Sequence, residues 1–475
     1  MLPLLSLEER ETARSDPIDG IDGTVCDVAR TPRVRVHDAL TTAREDGFET
    51  LQEIAVRDLL ERLATAGQLF FGRGVPAHSG ELPPFERYQR RVVAATGMPA
   101  GWVRTAAHWI AFGLRHLSES LRAQSPTGGL EVYDDPGYVR ETNVGLAFAP
   151  RVRALGATMP ANDPTVYVWP VVALAMKIPL VLRPSDRDPF TAIRLGRALR
   201  RAGIPASAVH VLPGDRSIGE TVCRDADHAM AFGGDAVVDR FRSDPTVSTY
   251  GPGESVAVLA RDPTDRELET LARGVARSGG RACFCLTRLV ATGECDADAL
   301  ATRLADRIVR VDATRCGSLY DERTGVPGFS PRRAEQIDAT VGELTGTDVT
   351  ADRRGGGRDC ACDAGRGSDS DSRLLERDGV ARLLPTVLRT DELVPELPFQ
   401  FAGVTRRDVD ELPDCLDGAY LGVVIGDDDL ERTFVRSPEI RKVYGGRYPA
   451  AVDLRETHET YLGSELYETT TYDPG

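Results

Sequence analysis

The chain has 475 residues and a formal net charge of −15, from 58 basic and 73 acidic residues. Its length allows two or three domains with buried cores, and 28% charged with 41% hydrophobic residues is ordinary for a globular protein. Lys177 and Lys442 are the two lysines, and the other Lys and Arg positions are all arginine. Basic and acidic residues are mixed along the sequence rather than separated into a basic face. We therefore do not expect nucleic acid as a partner. An acidic, lysine-poor composition is typical of halophilic cytosolic proteins.

The cysteines and the opening residues bear on the expected compartment. Nine cysteines at irregular spacing do not predict a disulfide framework. No apolar stretch reaches the roughly 18 residues that would predict a membrane span, and MLPLLSLEERETARSD is too short and too acidic for a signal peptide. We therefore expect a reduced, cytoplasmic protein with no membrane partner.

In chain order, the sequence predicts a polar N-terminal segment, then a helical segment, and then a segment in which strands and helices alternate. Residues 1–35 are polar, and we expect them to be poorly ordered. Residues 36–140 are predicted to be mainly helical, because apolar residues, including Trp102 and Trp109, recur on one face; we interpret these aromatics as core packing. Over residues 141–252, short strands such as KIPLVLRP, AVHVLPG and HAMAFGG alternate with helices. This alternation predicts βαβ units and a parallel sheet of the nucleotide-binding type.

A second α/β segment is predicted over residues 253–430, and residues 431–475 are predicted to form a C-terminal return and oligomerisation segment. Within the former, residues 351–372 are rich in Gly, Asp and Arg, which predicts a flexible surface loop. Cys360 and Cys362 in that loop have no histidine nearby, so we predict no metal site. The Thr- and Tyr-rich end of the chain predicts an edge strand used in subunit contact.

Residues 278–289, SGGRACFCLTRL, place Cys283 and Cys285 one residue apart in a polar, glycine-flanked turn. A structural thiol more usually lies in an apolar run, because free cysteine packs as a small hydrophobe. A metal site would require two further ligands at a recognisable spacing. The remaining interpretation is a nucleophile on a loop.

Three other stretches place polar residues in turns beside predicted apolar elements. PANDP (160–164) holds Asn162 between prolines, RPSDRDP (183–189) ends a strand with a cation, a serine and an acid, and AFGGD (231–235) ends another strand. GRGVPA (72–77) has the glycine spacing of a dinucleotide fingerprint but follows no strand, so we interpret it as a chance match.

In their order along the chain, these stretches resemble the aldehyde dehydrogenase superfamily over roughly residues 140–465. The family's nucleophile lies in a Gly–Gln–x–Cys turn with an arginine five residues later, a spacing that Gly280, Cys283 and Arg288 reproduce. The resemblance implies that Cys283 is the nucleophile and that Asn162 is the oxyanion donor. It also implies an α/β, aldehyde dehydrogenase-like fold, with a Rossmann-type cofactor domain, an α/β catalytic domain and a small oligomerisation element.

The same resemblance implies a bound NAD or NADP. The residues implied to contact it are Arg183, Ser185, Asp186, Gly214, Phe232, Gly234 and Glu396. Arg183 and Asp186 fall on the family's lysine and glutamate that hold the adenosine ribose, and Glu396 falls near a glutamate that binds the nicotinamide ribose. Because a carboxylate at Asp186 would repel a 2′-phosphate, NAD is slightly favoured over NADP.

Three residues depart from the family pattern: Arg281, Asp235 and Tyr250 replace its glutamine, a serine and the general-base glutamate. We expect Arg281 to favour the thiolate of Cys283. Loss of the base in YGPGESV (250–256) is similar to the CoA-acylating branch and to fatty acyl-CoA reductases, in which CoA rather than water resolves the acyl-enzyme.

We therefore predict acyl-CoA reduction or CoA-acylating aldehyde oxidation, with CoA as a possible co-substrate and a small aldehyde or acyl-CoA as substrate. Two alternatives stay open. One is hydrolytic oxidation to a carboxylic acid with Glu254 recruited as the base, and the other is a degenerate subunit that binds without turnover. The family also implies a homodimer or homotetramer joined through the C-terminal strand.

Overall fold

The computed structural model describes residues 1–73, 82–135, 145–311, 315–354, 372–377, 379–426, 428–438, 440–449, 455–456 and 460–472. The strands are β1 Leu4–Leu5, β2 Glu9–Arg10, β3 Ser15–Gly20, β4 Gly23–Ala29, β5 Gly145–Pro150, β6 Leu155–Thr158, β7 Leu180–Arg183, β8 Val209–Val211, β9 His228–Phe232, β10 Val247–Tyr250, β11 Val256–Leu259, β12 Arg288–Ala291, β13 Gly328–Phe329, β14 Thr347–Asp348, β15 Leu374–Arg377, β16 Val380–Leu383, β17 Thr386–Arg389, β18 Phe401–Arg406, β19 Leu421–Ile425, β20 Lys442–Gly445 and β21 Tyr467–Tyr472. The helices are α1 Arg33–Thr42, α2 Phe48–Gln52, α3 Val56–Phe70, α4 Phe85–Thr96, α5 Ala100–Arg115, α6 Leu117–Gln124, α7 Val168–Ala175, α8 Pro189–Arg201, α9 Arg216–Asp225, α10 Asp235–Phe241, α11 Asp265–Ala276, α12 Ala297–Ile308, α13 Pro331–Glu343, α14 Leu412–Leu416, α15 Asp428–Arg436 and α16 Leu462–Leu466.

The first large sheet has seven strands in the order β10-β9-β6-β7-β8-β1-β2, and β6 to β10 run parallel. The chain moves outward from β6 through β7 and β8, and then returns to the other side of β6 with β9 and β10. Open parallel sheets bind ligands at the carboxyl ends of their strands, where the strand order reverses. That reversal lies between β6 and β9, and it confirms the predicted α/β fold with a Rossmann-type domain.

Burial explains why this region of the sequence shows apolar runs rather than strict alternation. Every residue of β7, β8 and β9 is buried, because helices cover both faces of a parallel sheet. Helices α8 and α9 are amphipathic and begin with acidic caps, since Asp188 accepts from Thr191 N and Asp215 accepts from Ser217 N.

The second large sheet also has seven strands, in the order β14-β17-β18-β12-β11-β19-β20, and only its edge strand β14 is antiparallel. Central strand β12 follows the loop that contains Cys283, and β11 follows the loop over residues 251–255. The segment around Glu396 precedes the neighbouring strand β18. Three loops therefore meet at the amino ends of adjacent strands.

The N-terminal segment is ordered, which corrects the expectation for residues 1–35. Strand β1 pairs antiparallel with β8, with Leu5 opposite Val211, while β3 and β4 form a hairpin. Leu4 and Leu5 are 2% and 1% exposed. The few apolar residues at the start of the chain therefore extend the first sheet. Composition does not predict such a short strand, because its pairing partner lies far away in the sequence.

Some predicted segments fall wholly or partly outside the described residues. Most of the predicted loop at 351–372, with Cys360 and Cys362, lies outside them, although Ala351–Arg353 forms a 3₁₀ turn. Residues 74–77 of GRGVPA also lie outside them. Strand β21 pairs with β5 as a separate two-stranded sheet. Among the helices in the described parts of the chain, none has the length and apolarity to cross a bilayer.

His210 on β8 is fully buried, and we expect it to make the free energy of unfolding depend on pH in the acidic range. Its ring nitrogens lie 3.3 Å from Ser6 Oγ and 2.9 Å from Ser207 O, and burial lowers its pKa from 6.5 to about 4. Between pH 6.5 and about 4 the histidine is protonated in the unfolded chain but still neutral in the folded chain. The free energy of unfolding is therefore highest above pH 6.5 and falls as the pH is lowered toward 4. The shift corresponds to about 3 kcal/mol.

We expect His210→Gln to flatten the dependence of the unfolding free energy on pH between about 4 and 6.5, as measured by urea denaturation. His37→Gln, which changes an exposed histidine, is the control and should keep the slope of the unaltered protein. Equal slopes in both variants would contradict the assignment.

Candidate active site

The loop between α11 and β12 holds the candidate nucleophile in an unusual backbone turn. Ser278, Gly279 and Gly280 have consecutive positive φ values of 48°, 67° and 74°. A Cβ added at Gly280 would lie 2.1 Å from Phe399 O. This position therefore requires glycine both for its left-handed conformation and for the close approach of the two backbones.

The turn distinguishes the two cysteines of the motif. Cys283 is partly exposed, whereas Cys285 is 3% exposed. The Cys285 thiol donates to Arg277 O at 3.0 Å, and burial raises its pKa. Cys283 is therefore the accessible thiol of the pair.

Asn162 reaches the same loop from the end of β6, across 119 residues of sequence. Its Nδ2 donates to Arg281 O at 2.9 Å, and its buried Oδ1 has no hydrogen-bond partner among the described residues. Since a side-chain amide has two N–H donors, the second remains to be directed at a substrate oxygen. The structure thus brings Asn162 and the Cys283 loop together.

The Arg281 side chain corrects the expectation that it assists the thiolate. Its Nη1 donates to Thr96 O at 2.7 Å, and its guanidinium lies 5.9 Å from the ring centroid of Phe329. The loop carries Arg281 next to Cys283 in sequence, but the buried side chain is held at the end of α4. Proximity along a chain does not determine the direction of a side chain in a tight turn.

Burial raises the pKa of Cys283 well above its usual value, the Glu396 carboxylate raises it further, and Lys442 on β20 partly opposes both, so the resting group is the neutral thiol. Lys442 Nζ lies 3.1 Å from Glu456 Oε2, and the residue is 8% exposed. Sequence reasoning missed this residue. The available signal was its rarity, because only two lysines occur in the chain, and Lys177, the other, is also buried, at 2% exposed.

The YGPGESV loop is held against the nucleophile by backbone contacts. Tyr250, at the position of the expected base, is buried and stacks on Phe232 with ring centroids 4.4 Å apart. A Cβ added at Gly253 would lie 1.8 Å from Cys283 O. The Ser255 hydroxyl donates to the same carbonyl oxygen at 2.8 Å. Tyr250 therefore serves packing, Ser255 joins the two loops by a hydrogen bond, and Gly253 permits their close contact.

The two acids of this region are engaged by the protein itself. Glu254 Oε1 lies 2.9 Å from a guanidinium nitrogen of Arg288. Glu396 Oε2 accepts from the backbone N–H of Gly253 at 2.6 Å and of Glu254 at 3.2 Å. Burial raises the pKa of Glu396. Glu396 therefore anchors the YGPGESV loop, and its carboxylate also raises the pKa of Cys283.

The other sequence-predicted cofactor residues meet at the carboxyl ends of β7, β8 and β9, where they follow or end these strands. Arg183 Nε donates to Gly214 O at 3.0 Å, and its guanidinium pairs with Asp186. The Asp186 side chain is 61% exposed, so its carboxylate can accept ribose hydroxyl groups. Ser185 Oγ accepts from the N–H of Arg187 at 3.3 Å and shapes the same turn.

Space at this edge also suits a dinucleotide. Phe232 ends β9, and a Cβ added at Gly234 would meet no atom within 4 Å, so the backbone there faces open space. These residues fit a nicotinamide dinucleotide, although Asp235 adds a negative charge where the family has a serine. Glu396 belongs to the other sheet and lies at the Cys283 loop instead of with this group.

An apolar cavity of about 100 Å³ opens onto Cys283 and Asn162. All three tryptophans of the chain line it: Trp102, Trp109 and Trp169. Trp102 packs against the hydrophobic core as expected and also borders the cavity, whereas Trp109, which was expected in the core, lies on the cavity wall. Helical periodicity identifies the face of a helix that meets other protein, but a cavity wall and a core produce the same pattern.

A parallel sheet with a switch point, a second parallel sheet, and a cysteine beside an asparagine under an apolar cavity define the aldehyde dehydrogenase class of fold. The aldehyde dehydrogenase family model matches residues 155–366. This match covers somewhat less than half of the chain, and the structure has the aldehyde dehydrogenase fold.

Individual relatives are distant. Geranial dehydrogenase of Castellaniella defragrans is 26% identical over 260 residues, which cover 50% of this chain and 51% of that protein. Phenylacetaldehyde dehydrogenase of Pseudomonas fluorescens is 27% identical over 285 residues, with 56% and 52% covered. A solved structure of indole-3-acetaldehyde dehydrogenase with NAD+ has a TM-score of 0.74 at 16% identity, covering 99% of this chain and 96% of that one. The chain thus matches about half the length of these curated relatives, and its likeness to the solved structure concerns the fold.

Proposed function

We propose that this chain is an NAD(P)-dependent oxidoreductase that acts on an aldehyde or an acyl thioester through a covalent adduct on Cys283. One observation carries the proposal: the accessible thiol lies at the cavity, and Asn162 is hydrogen-bonded to the loop that holds it. The residues Arg183, Asp186 and Gly234 suit the cofactor, and NAD+ is present in the similar solved structure. When bound, the nicotinamide accepts or delivers hydride.

Four side chains have separate roles in the proposed attack on the carbonyl group. The thiol of Cys283 must lose its proton before its sulfur attacks the carbonyl carbon. Glu396, whose pKa burial raises, is suited to accept that proton, and Lys442 favours the resulting thiolate. As the C–S bond forms, negative charge moves to the carbonyl oxygen, where the second N–H of Asn162 donates.

We expect Asn162→Ala to lower kcat by about 10² to 10³-fold, because loss of one oxyanion donor typically has this effect. Initial rates with a saturating aldehyde and cofactor measure it. The rate at which iodoacetamide alkylates Cys283 is the matched control and should change little, since alkylation forms no oxyanion. A parallel drop in both rates would show that the variant disturbs the loop rather than the donor.

The finer proposal is that a thiol, CoA, resolves the acyl-enzyme, or delivers the acyl group in the reductive direction. Its support lies in the loop at residues 250–254: Tyr250 is buried against Phe232, and Glu254 is ion-paired with Arg288. Attack by water requires a base to remove its proton, whereas CoA is already a good nucleophile.

Nicotinamide turnover in concentrated KCl, with NAD or NADP and with or without CoA, tests this proposal. We expect a CoA-dependent signal that is lost in Cys283→Ala and kept in Cys285→Ala. Turnover without CoA favours the second candidate, hydrolysis to a carboxylic acid, which the aldehyde dehydrogenase names of the relatives support. In that case Glu254→Gln and Glu396→Gln identify the base. Nucleotide binding without turnover under any condition would favour a binding subunit.

Assembly and location are further parts of the proposal. Strand β21 forms a two-stranded ribbon with β5, which suits a subunit contact in a homodimer or homotetramer. No disulfide joins the cysteines within the described residues, which suits a reducing cytoplasm. Light scattering of the full chain at several KCl concentrations would measure the oligomer, and a monomer throughout would refute it.

A further inference from the structure

We propose that the substrate carries one aromatic ring, or a group of similar bulk, and no positive charge, and that the three tryptophans select it. This inference rests on the proposed function, because it concerns the acyl part of the molecule that Cys283 attacks. It follows from the shape, the composition and the charge of the cavity, which are independent of the cofactor.

The walls of the cavity are rigid and aromatic. Trp102 and Trp109 are seven residues apart on α5 and therefore project from the same face of the helix. Trp102 Nε1 donates to Gly325 O at 3.3 Å, and Trp109 meets Phe112 edge to face with centroids 5.5 Å apart. Trp169 closes the wall from α7. Because these side chains are held by other contacts, they present fixed faces and edges to a ligand, and aromatic pairs prefer such offset or edge-on geometries.

The size of the cavity limits the ligand. Its volume of about 100 Å³ is comparable to an engineered apolar protein cavity of ~150 Å³ that binds benzene. A single ring next to the carbonyl therefore fills the space, while a methyl or ethyl group leaves most of the apolar wall uncovered. The free energy of binding rises with the apolar area that a ligand removes from water.

Charge around the cavity disfavours a cation. The Arg277 guanidinium lies 4.8 Å from the Phe284 ring centroid, and Lys442 Nζ lies 5.1 Å from Tyr420 and 5.8 Å from Trp169. These aromatic side chains line the cavity and already have a protein cation on one face. Lys442 is ion-paired with Glu456, but the ring face that a cationic ligand would use is already occupied by a protein cation.

The acid on the cavity wall does not change this conclusion. Asp163 is 3% exposed, and its Oδ1 accepts from Thr165 N at 2.8 Å, which caps the short helical turn after Asn162. Its carboxylate is thus directed to the backbone of its own turn. One oxygen of this carboxylate is committed to the cap and the residue is 3% exposed, which limits its contact with the ammonium group of an amino-aldehyde.

Binding can be measured without turnover, because every tryptophan of the chain lines the cavity. Intrinsic tryptophan fluorescence of the full chain is titrated with three amides that cannot react with the thiol: phenylacetamide, acetamide and 4-aminobutanamide. We expect saturable quenching by phenylacetamide, with a Kd at least about tenfold below those of the other two.

Variants test the role of the wall. Trp109→Leu should weaken phenylacetamide binding about tenfold, whereas Tyr320→Leu, which changes an exposed aromatic side chain that does not line the cavity, should leave it unchanged. Trp169→Leu is the second test if Trp109→Leu fails to fold. Equal affinity for the three amides, or tightest binding of the cationic one, would overturn the inference. Selective phenylacetamide binding by a protein with no turnover would support the cavity assignment and count against the proposed function.

Discussion

Cys283→Ala is expected to lower turnover by about 10⁴-fold or more, because no covalent adduct can form without the nucleophile. The free energy of unfolding should change by less than about 1 kcal/mol, since the thiol is partly exposed at a cavity. Nicotinamide absorbance measures the rate, and urea denaturation measures the stability.

Cys285→Ala provides the matched control two residues away. It should keep turnover and lose about 1 kcal/mol of stability, because its buried thiol donates to Arg277 O. Since burial and Glu396 raise the pKa of Cys283, alkylation of Cys283 by iodoacetamide should be slow near pH 7 and accelerate continuously into the alkaline range. Full activity in Cys283→Ala, or rapid alkylation at neutral pH, would contradict the assignment.

Gly253→Ala is expected to reduce stability by about 3 kcal/mol or more and to abolish most turnover. The new Cβ would lie 1.8 Å from Cys283 O, so one of the two loops must move. The Gly253 loop is held because Gly253 O accepts from Tyr420 N at 2.7 Å and Gly253 N donates to Glu396, and the Cys283 loop is held because Arg281 O accepts from Asn162. A displaced loop would also shift the nucleophile relative to Asn162.

Gly342→Ala is the control for this substitution. Gly342 lies in α13, and a Cβ added there meets no atom within 4 Å. Alanine favours a helix over glycine by about 1 kcal/mol, so this variant should be as stable as the unaltered protein or more stable. Thermal unfolding of both variants gives the comparison, and equal midpoints would refute the close contact at Gly253.

Much of the fold follows from local patterning. Strands β7, β8 and β9 are recognisable because buried parallel strands form short apolar runs between amphipathic helices. The Gly280-to-Arg288 spacing singles out Cys283 over Cys285 through its resemblance to the aldehyde dehydrogenase turn, and that turn depends on consecutive glycines. Such features depend on neighbours along the chain, and they are therefore legible in a single sequence.

Contacts between distant segments of the chain could not be predicted from local sequence patterns. The strands in residues 1–35 exist because β1 pairs with β8, and the direction of the Arg281 side chain depends on Thr96 at the end of α4. Composition carries no signal of either partner, because each contact joins segments that lie far apart in sequence.

The features of the candidate active site can also be separated into those that the sequence predicts and those that the tertiary structure determines. Cys283 and Asn162 can be nominated from the sequence because their turns resemble the nucleophile and oxyanion turns of the aldehyde dehydrogenase superfamily. Only tertiary packing brings Lys442 toward the thiol from β20, encloses Tyr250 against Phe232, and gathers three tryptophans from two helices around one cavity. The physical reason is that pKa values, side-chain direction and cavity shape depend on what lies nearby in space, and a chain determines those neighbours only by folding.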